Sequence, residues 1–197
     1  MTLTQSPTDL ILNVSDTVIL HADHEQFERL CQLNPDLRLE LTSTRELIIM
    51  APAGWESSEN NSELTRQVAN WNYRFKLGKI FDSSGGFTLP SGAVRSPDVT
   101  WISNAKVANL SPKIVFPKVV PDFVIELRSK SDRLKTLQAK MIEYQENGVQ
   151  LGWLINPQDQ EVEIYRLDQN VEILKSPSEL SGEDVLPNFV LDLTTIW

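Results

Sequence analysis

Apolar residues recur at helical spacing in three stretches of the chain and gather into short runs elsewhere. Over residues 24–33, Phe27, Leu30 and Cys31 share one helical face, and Asn34-Pro35 stops the pattern. The longest stripe is Leu64, Val68, Trp71 and Phe75; it predicts a long helix capped by Ser57 or Ser58 and closed at Gly78. A third set, Leu134, Leu137, Met141 and Tyr144, predicts a helix capped by Ser131 or Asp132 and terminated by Gly148.

The short runs read as strands. Arg38 to Leu41 and Leu47 to Met50 flank the polar turn Thr42-Ser43-Thr44-Arg45 and predict a hairpin, which Pro52 to Gly54 ends. Ile80-Phe81 and Phe87 to Leu89 flank Asp82-Ser83-Ser84-Gly85-Gly86, so a second hairpin is expected there. Val99 to Ile102 is a short strand, and the wholly apolar Phe123-Val124-Ile125 marks a strand covered on both faces. Leu151 to Ile155 and Val162 to Arg166 form a pair through a turn containing Asn156-Pro157-Gln158-Asp159, with 171–174 and 190–197 as edge elements. Strands dominate and helices pack on them, which predicts an α/β or α+β fold. A chain of 197 residues, 41% hydrophobic, closes one sizeable core. The expectation is a single domain over 1–197, with 1–15 as an extended leader and 16–197 as the folded part.

Composition narrows the function classes. The single cysteine, Cys31, excludes an internal disulfide and a Cys-rich zinc site, and a reducing cytoplasm fits best. The first twenty residues lack a basic segment ahead of an apolar one, and no later run has bilayer length, so neither secretion nor a membrane span is expected. The net charge of -9 argues against a phosphate-bearing partner, but it is unevenly spread. Residues 61–80 carry Arg66, Arg74, Lys76 and Lys79 against Glu63 alone, and residues 113–140 carry seven basic side chains against Asp122, Glu126 and Asp132. Two solvated faces explain such runs equally well.

Two acids stand where chemistry is possible. Asp98 follows Pro97 at the mouth of a strand, and Glu126 follows three buried apolar residues, so its carboxylate reaches the edge of the core. Two carboxylates from neighbouring strands suit Mg²⁺, which takes few protein ligands and completes its shell with water and phosphate oxygens.

The segments SPDVTWI, PDFVIELRS, LQAKMIEYQENGVQLGWLINP and VEIYR, in that order, resemble the Uma family of endonucleases within the PD-(D/E)XK superfamily. The resemblance covers roughly residues 20–197. It implies a restriction-endonuclease-like mixed sheet flanked by helices, dependence on Mg²⁺ or Mn²⁺, and hydrolysis of nucleic-acid phosphodiesters, with DNA as the expected partner. Asp98 matches the aspartate of the PD element and Glu126 the acid of (D/E)XK, as catalytic residues and metal ligands. Two residues further, about 7 Å along the strand, Arg128 stands in place of the lysine. Arginine stays protonated and is no base. The family pattern then points to Lys140, on the following helix, as the third catalytic residue, and Leu127 is a candidate to add a backbone carbonyl to the metal.

Each role has a plainer competitor. Asp98 after proline also caps turns; Glu126 also serves as half of an ion pair with Arg128 or Lys140; Lys140 also suits a helix flank with its ammonium in solvent. Asp122 sits about 13 Å down the strand from Glu126 and is left out. Glu59 and Glu63 read as solvated, and His21 and His24 as neither ligands nor bases. With Arg128 in the lysine slot and an acidic chain, a catalytically degenerate fold acting as a nucleic-acid-binding or protein-interaction module is the alternative. Phe189, Leu191, Leu193, Ile196 and Trp197 either finish the sheet or meet a second subunit of a homodimer.

Overall fold

The computed structural model describes residues 19–197, so the expected leader over 1–15 lies outside the described residues. Helix α1 spans His24–Leu33 as its periodicity predicts. Asp23 caps it: its carboxylate accepts the Gln26 N–H at 2.8 Å while the Gln26 side chain accepts the Asp23 N–H at 2.9 Å. Strands β1 (Arg38–Leu41) and β2 (Leu47–Met50) form the first predicted hairpin, in a register pairing Leu41 with Leu47.

The long helix α2 covers Trp55–Phe75 and begins before the expected serine caps. Its cap is Gly54, whose carbonyl accepts the Ser58 N–H at 2.9 Å, and Ser57 and Ser58 lie inside the first turn. The helix also ends without Gly78: Lys76 takes the left-handed C-cap, and Gly78 opens β3 (Gly78–Asp82). Glycine is needed there because a Cβ would sit 2.3 Å from the Ile102 carbonyl oxygen and against the Trp101 indole.

The second expected hairpin does not form. Strand β3 pairs antiparallel with β6 (Val99–Ser103), whereas β4 (Phe87–Thr88) pairs with β5 (Val94–Arg95) in another sheet. The Gly-rich turn is a passage between sheets: the Asp82 carboxylate accepts the Ser84 N–H at 3.0 Å and bends the chain, and Phe81 meets Phe87 edge-on at 5.2 Å across the bend.

After the short helix α3 (Asn104–Val107) come β7 (Phe123–Leu127), helix α4 (Leu134–Glu146), β8 (Leu151–Asn156), β9 (Glu161–Arg166), β10 (Glu172–Lys175), β11 (Glu179–Ser181) and β12 (Val190–Asp192). Helix α4 has Arg133 at its N-cap with no side-chain bond; the Asp132 carboxylate instead accepts the Ser129 N–H at 2.8 Å. Gly148 lies just past its end at φ 97. The central sheet has six strands in the order β10-β9-β8-β7-β6-β3. Only β7 and β8 are parallel there, joined by the α4 crossover. A four-stranded sheet, β2-β1-β5-β4, carries α1, and β11 and β12 make a separate pair.

Strand alternation decides which face each residue serves. Phe123, Ile125 and Leu127 join the main core, where Leu64, Val68 and Trp71 of α2 meet Trp101, Trp153, Phe189, Leu191, Leu193 and Ile196. The C-terminal apolar residues therefore complete the core of their own chain. Val124 faces the other way, into a cluster with Met141 and Tyr144 of α4. Glu126 follows Val124 by two residues and is turned toward α4. Among the described residues no helix is long and apolar enough to cross a membrane.

Candidate active site

Register brings the two acids together. The β6–β7 ladder ends at the pair Val99–Ile125, and Asp98, one residue before β6, bonds the Leu127 N–H and lines the same cleft as Glu126. Asp98 is held from two sides: Oδ2 accepts the Leu127 N–H at 2.9 Å, and Oδ1 accepts from Asn61 Nδ2 of α2 at 3.1 Å.

Glu126 is 4% exposed. Its Oε1 accepts from Lys140 Nζ at 2.8 Å and from the Tyr144 hydroxyl at 2.8 Å. Lys140 and Tyr144 stand one helical turn apart on α4, so they reach the same oxygen. The ammonium is shared: Nζ also donates to Glu40 Oε1 at 2.9 Å. Glu40, only 2% exposed, further accepts the Ser96 N–H at 2.9 Å and Arg95 Nη1 at 3.0 Å. Arg95 Nε continues the chain to Glu143 at 2.6 Å. Acids and bases thus alternate from the central sheet through α4 to the small sheet.

Burial sets the protonation tendencies. It pushes the Glu126 carboxyl up to about 7, against the pull of Lys140, with Asp98 and Glu40 adding to the rise. Burial also raises Asp98, opposed by the Leu127 N–H and by Lys140. Glu40 goes the other way: burial would raise it, but Lys140 and Arg95 outweigh that and hold it below the usual glutamate value. For Lys140, burial would favour the neutral amine, yet Glu126 and Glu40 hold the proton more firmly than in water.

Glu126, Glu40 and Glu143 are bonded to Lys140 and Arg95, whereas Asp98 has no bonded cation among the described residues and feels Lys140 and Arg38 only through space. The donors there are hard oxygens, and the buried Asn61 Oδ1 has no partner. Among the described residues no group of three or more His, Cys, Asp or Glu side chains is arranged to hold a metal. Two carboxylates with an amide oxygen nonetheless fit Mg²⁺ or Mn²⁺, which accept water in the remaining positions.

Asp98, Glu126 and Lys140 line one cleft of about 630 Å³. The other sequence candidates lie elsewhere. Arg128 turns to Asn156 at 3.2 Å and Asp159 at 3.0 Å. Asp122 bonds Lys106 at 2.7 Å and the Ser103 N–H at 2.8 Å. Glu63 is held by Arg66 at 2.6 Å, and neither Glu59, His21 nor His24 lines the cleft. Leu127 does line it, with its N–H bonded to Asp98. Of the two locally basic segments, only Lys130 and Lys140 reach the cleft.

Sequence reasoning missed Glu40, Asn61 and Arg95, and took Tyr144 for core alone. Glu40 alternates with Leu39 and Leu41, the signature of a solvent-facing strand position. Asn61 sits in the polar run Glu59-Asn60-Asn61-Ser62, where nothing in the residue types marks it out.

Comparison with known proteins gives a family and a fold. Residues 24–194 match the family described as "Uma2: Putative restriction endonuclease". Among solved structures, the chain is similar to a crystal structure described as "a putative nuclease belonging to DUF820" from Anabaena variabilis, at 18% identity and a TM-score of 0.76, over 89% of this chain and 97% of that one. At that identity the likeness speaks for the fold: a mixed sheet flanked by helices, as the sequence predicts. No curated protein matches.

Proposed function

Because the chain belongs to the family described as "Uma2: Putative restriction endonuclease", we propose that it hydrolyses phosphodiester bonds of DNA, with Asp98 and Glu126 holding Mg²⁺ or Mn²⁺. The observation that supports this reading is one cleft lined by both Asp98 and Glu126, at the end of the β6–β7 ladder. A divalent cation in that position supplies neutralisation of charge on the scissile phosphate and a more acidic water.

The chain's own groups do the rest. The Asn61 amide and the Leu127 N–H fix both oxygens of Asp98, so the carboxylate loses little freedom when substrate enters. Tyr144 and Lys140 both bond Glu126 Oε1, leaving Oε2 for the cleft. Lys140, whose ammonium bonds Glu126 and Glu40, acts as a donor, orienting the attacking water or stabilising charge that develops on the phosphate. Glu40 holds the ammonium from behind and fixes the direction in which it donates.

The test is cleavage of plasmid and single-stranded substrates by the purified protein, with and without Mg²⁺ or Mn²⁺. Wild type is expected to cleave only with the cation, and Asp98→Ala to lose at least about 100-fold in rate. Cleavage that survives either the chelator or the substitution overturns the mechanism. A second reading, a binding module on a degenerate nuclease fold, draws on one observation: Lys140 is ion-paired directly with Glu126 at 2.8 Å. It predicts nucleic-acid binding with no cleavage under any cation. Phe189, Leu191, Leu193 and Ile196 pack into the core of their own chain, so this reading gives them no part in a homodimer contact.

A further inference from the structure

The cleft that carries Asp98 and Glu126 has two unlike walls. One bears the acids and Lys140; the other runs from the end of β2 into the start of α2 and carries the apolar Ile49, Met50, Pro52 and Trp55, with Glu56 and Ser57 following on the helix. Trp55 is 80% exposed and Ile49 38%. An indole left that open at the mouth of a cleft takes little part in holding the fold, because large aromatics are mostly buried. Local structure gives it no task either: Trp55 is the first residue of α2, and the cap before it is the backbone of Gly54. Ala51, Pro52, Ala53 and Gly54 leave the approach clear, and a Cβ at Gly54 would meet nothing within 4 Å. Asn61, which holds Asp98 at 3.1 Å, follows Trp55 by six residues, about 9 Å along the helix axis.

We propose that Trp55 is a stacking platform for an unpaired nucleobase, and that the preferred substrate is single-stranded nucleic acid or the unpaired segment of a duplex. The proposal rests on the nuclease reading above and names its substrate class. A nucleotide joins a flat apolar face to a charged phosphate, and the cleft presents an apolar wall beside the place where a phosphate would be held. In a duplex both faces of each base are covered by neighbours, so the platform is useless until a base is unstacked. Stacking is indifferent to base identity, since every base has a π-face.

Charge supports the same choice. Duplex binders draw affinity from many phosphate contacts. Here the cleft offers Arg38, Lys130 and Lys140, of which Lys130 is bonded to Glu56 at 2.5 Å and Lys140 to two acids, on a chain of net charge -9. With so few free cations, stacking must supply a large share of the affinity, and binding depends only weakly on salt.

The experiment is fluorescence anisotropy of the full chain, in chelator, with a labelled oligothymidylate and a labelled hairpin duplex of equal length. Tighter binding of the single strand is expected, weakened about 5- to 100-fold by Trp55→Ala and far less by Trp55→Phe. Tryptophan emission quenched by the oligonucleotide in wild type is expected to lose part of that quench in Trp55→Phe. Equal binding by Trp55→Ala, preference for the duplex, or no binding of either probe overturns the proposal. Altered self-association of Trp55→Ala with unchanged oligonucleotide binding overturns it in favour of a protein contact. The two readings fail separately. Trp55-dependent binding without cleavage in any cation removes the nuclease and leaves the platform. Cation-dependent cleavage with unchanged KM and binding in Trp55→Ala removes the platform and leaves the nuclease.

Discussion

Lys140 stands at the centre of the site as a half-buried cation between two buried acids, and its surroundings explain both its charge and its place. Breaking such a cluster costs more than making it yields, because the partner left behind is a charge without water. Glu40→Gln is expected to lower stability by about 3 kcal/mol at neutral pH, measured by urea unfolding. The sign of its pH dependence follows from Glu40 lying below its ordinary value of 4.5 in the folded protein. A depressed carboxyl stabilises above the unfolded value and loses that contribution as pH falls through the folded one. The gap between wild type and Glu40→Gln should therefore be full above about pH 5 and narrow as the solution is made more acid. A gap independent of pH would mean that Glu40 carries no net ionic stabilisation. Single residues were readable in the sequence only where their neighbours were unusual. Asp98 and Glu126 stand at strand mouths beside Pro97 and an apolar triplet. Glu40 has the alternating surroundings of any exposed strand, and what makes it different is a lysine one hundred residues away.

At the scale of elements, local periodicity fixed most boundaries. Helix α1 and strands β1 and β2 fall where the pattern puts them, and β8 and β9 pair as expected through their turn. The misplaced hairpin and the misread glycine have a long-range cause. Ile80-Phe81 and Phe87-Thr88 look like the arms of a hairpin, yet their partners are β6 and β5, and the choice of sheet is decided by contacts far along the chain. Gly78 looked like a helix terminator and is instead the one residue that lets β3 pass over Trp101 and the Ile102 carbonyl. Gly78→Ala is expected to destabilise by at least about 2 kcal/mol, since backbone and a packed indole must both move. A thermal melt checks it, and a melting temperature within a degree of wild type would show that β3 is held less closely than described. Gly152→Ala is the control, because its nearest obstacle is the flexible end of Met141 at 2.6 Å.

Across the whole molecule, one α-helix and the last nine residues close the core over the central sheet. Phe189, Leu191, Leu193 and Ile196 are all buried in the same cluster as α2. Burying each such side chain contributes about 1.5–3 kcal/mol, and a domain's net stability is only about 5–15 kcal/mol. Deleting residues 189–197 should therefore leave a chain without cooperative unfolding, followed by near-ultraviolet circular dichroism; a sharp transition would place the core elsewhere. The same architecture sets Asp98 against Glu126, since β6 and β7 are neighbours in a sheet whose two faces are covered by α2 and α4. The most direct measurement of whether that pair is a metal site is calorimetric titration of Mn²⁺ into wild type and Asp98→Asn, which keeps the shape and removes the charge. One binding event in wild type and none in the variant is the predicted result. Absence of binding in wild type, or equal binding in both, would contradict the account.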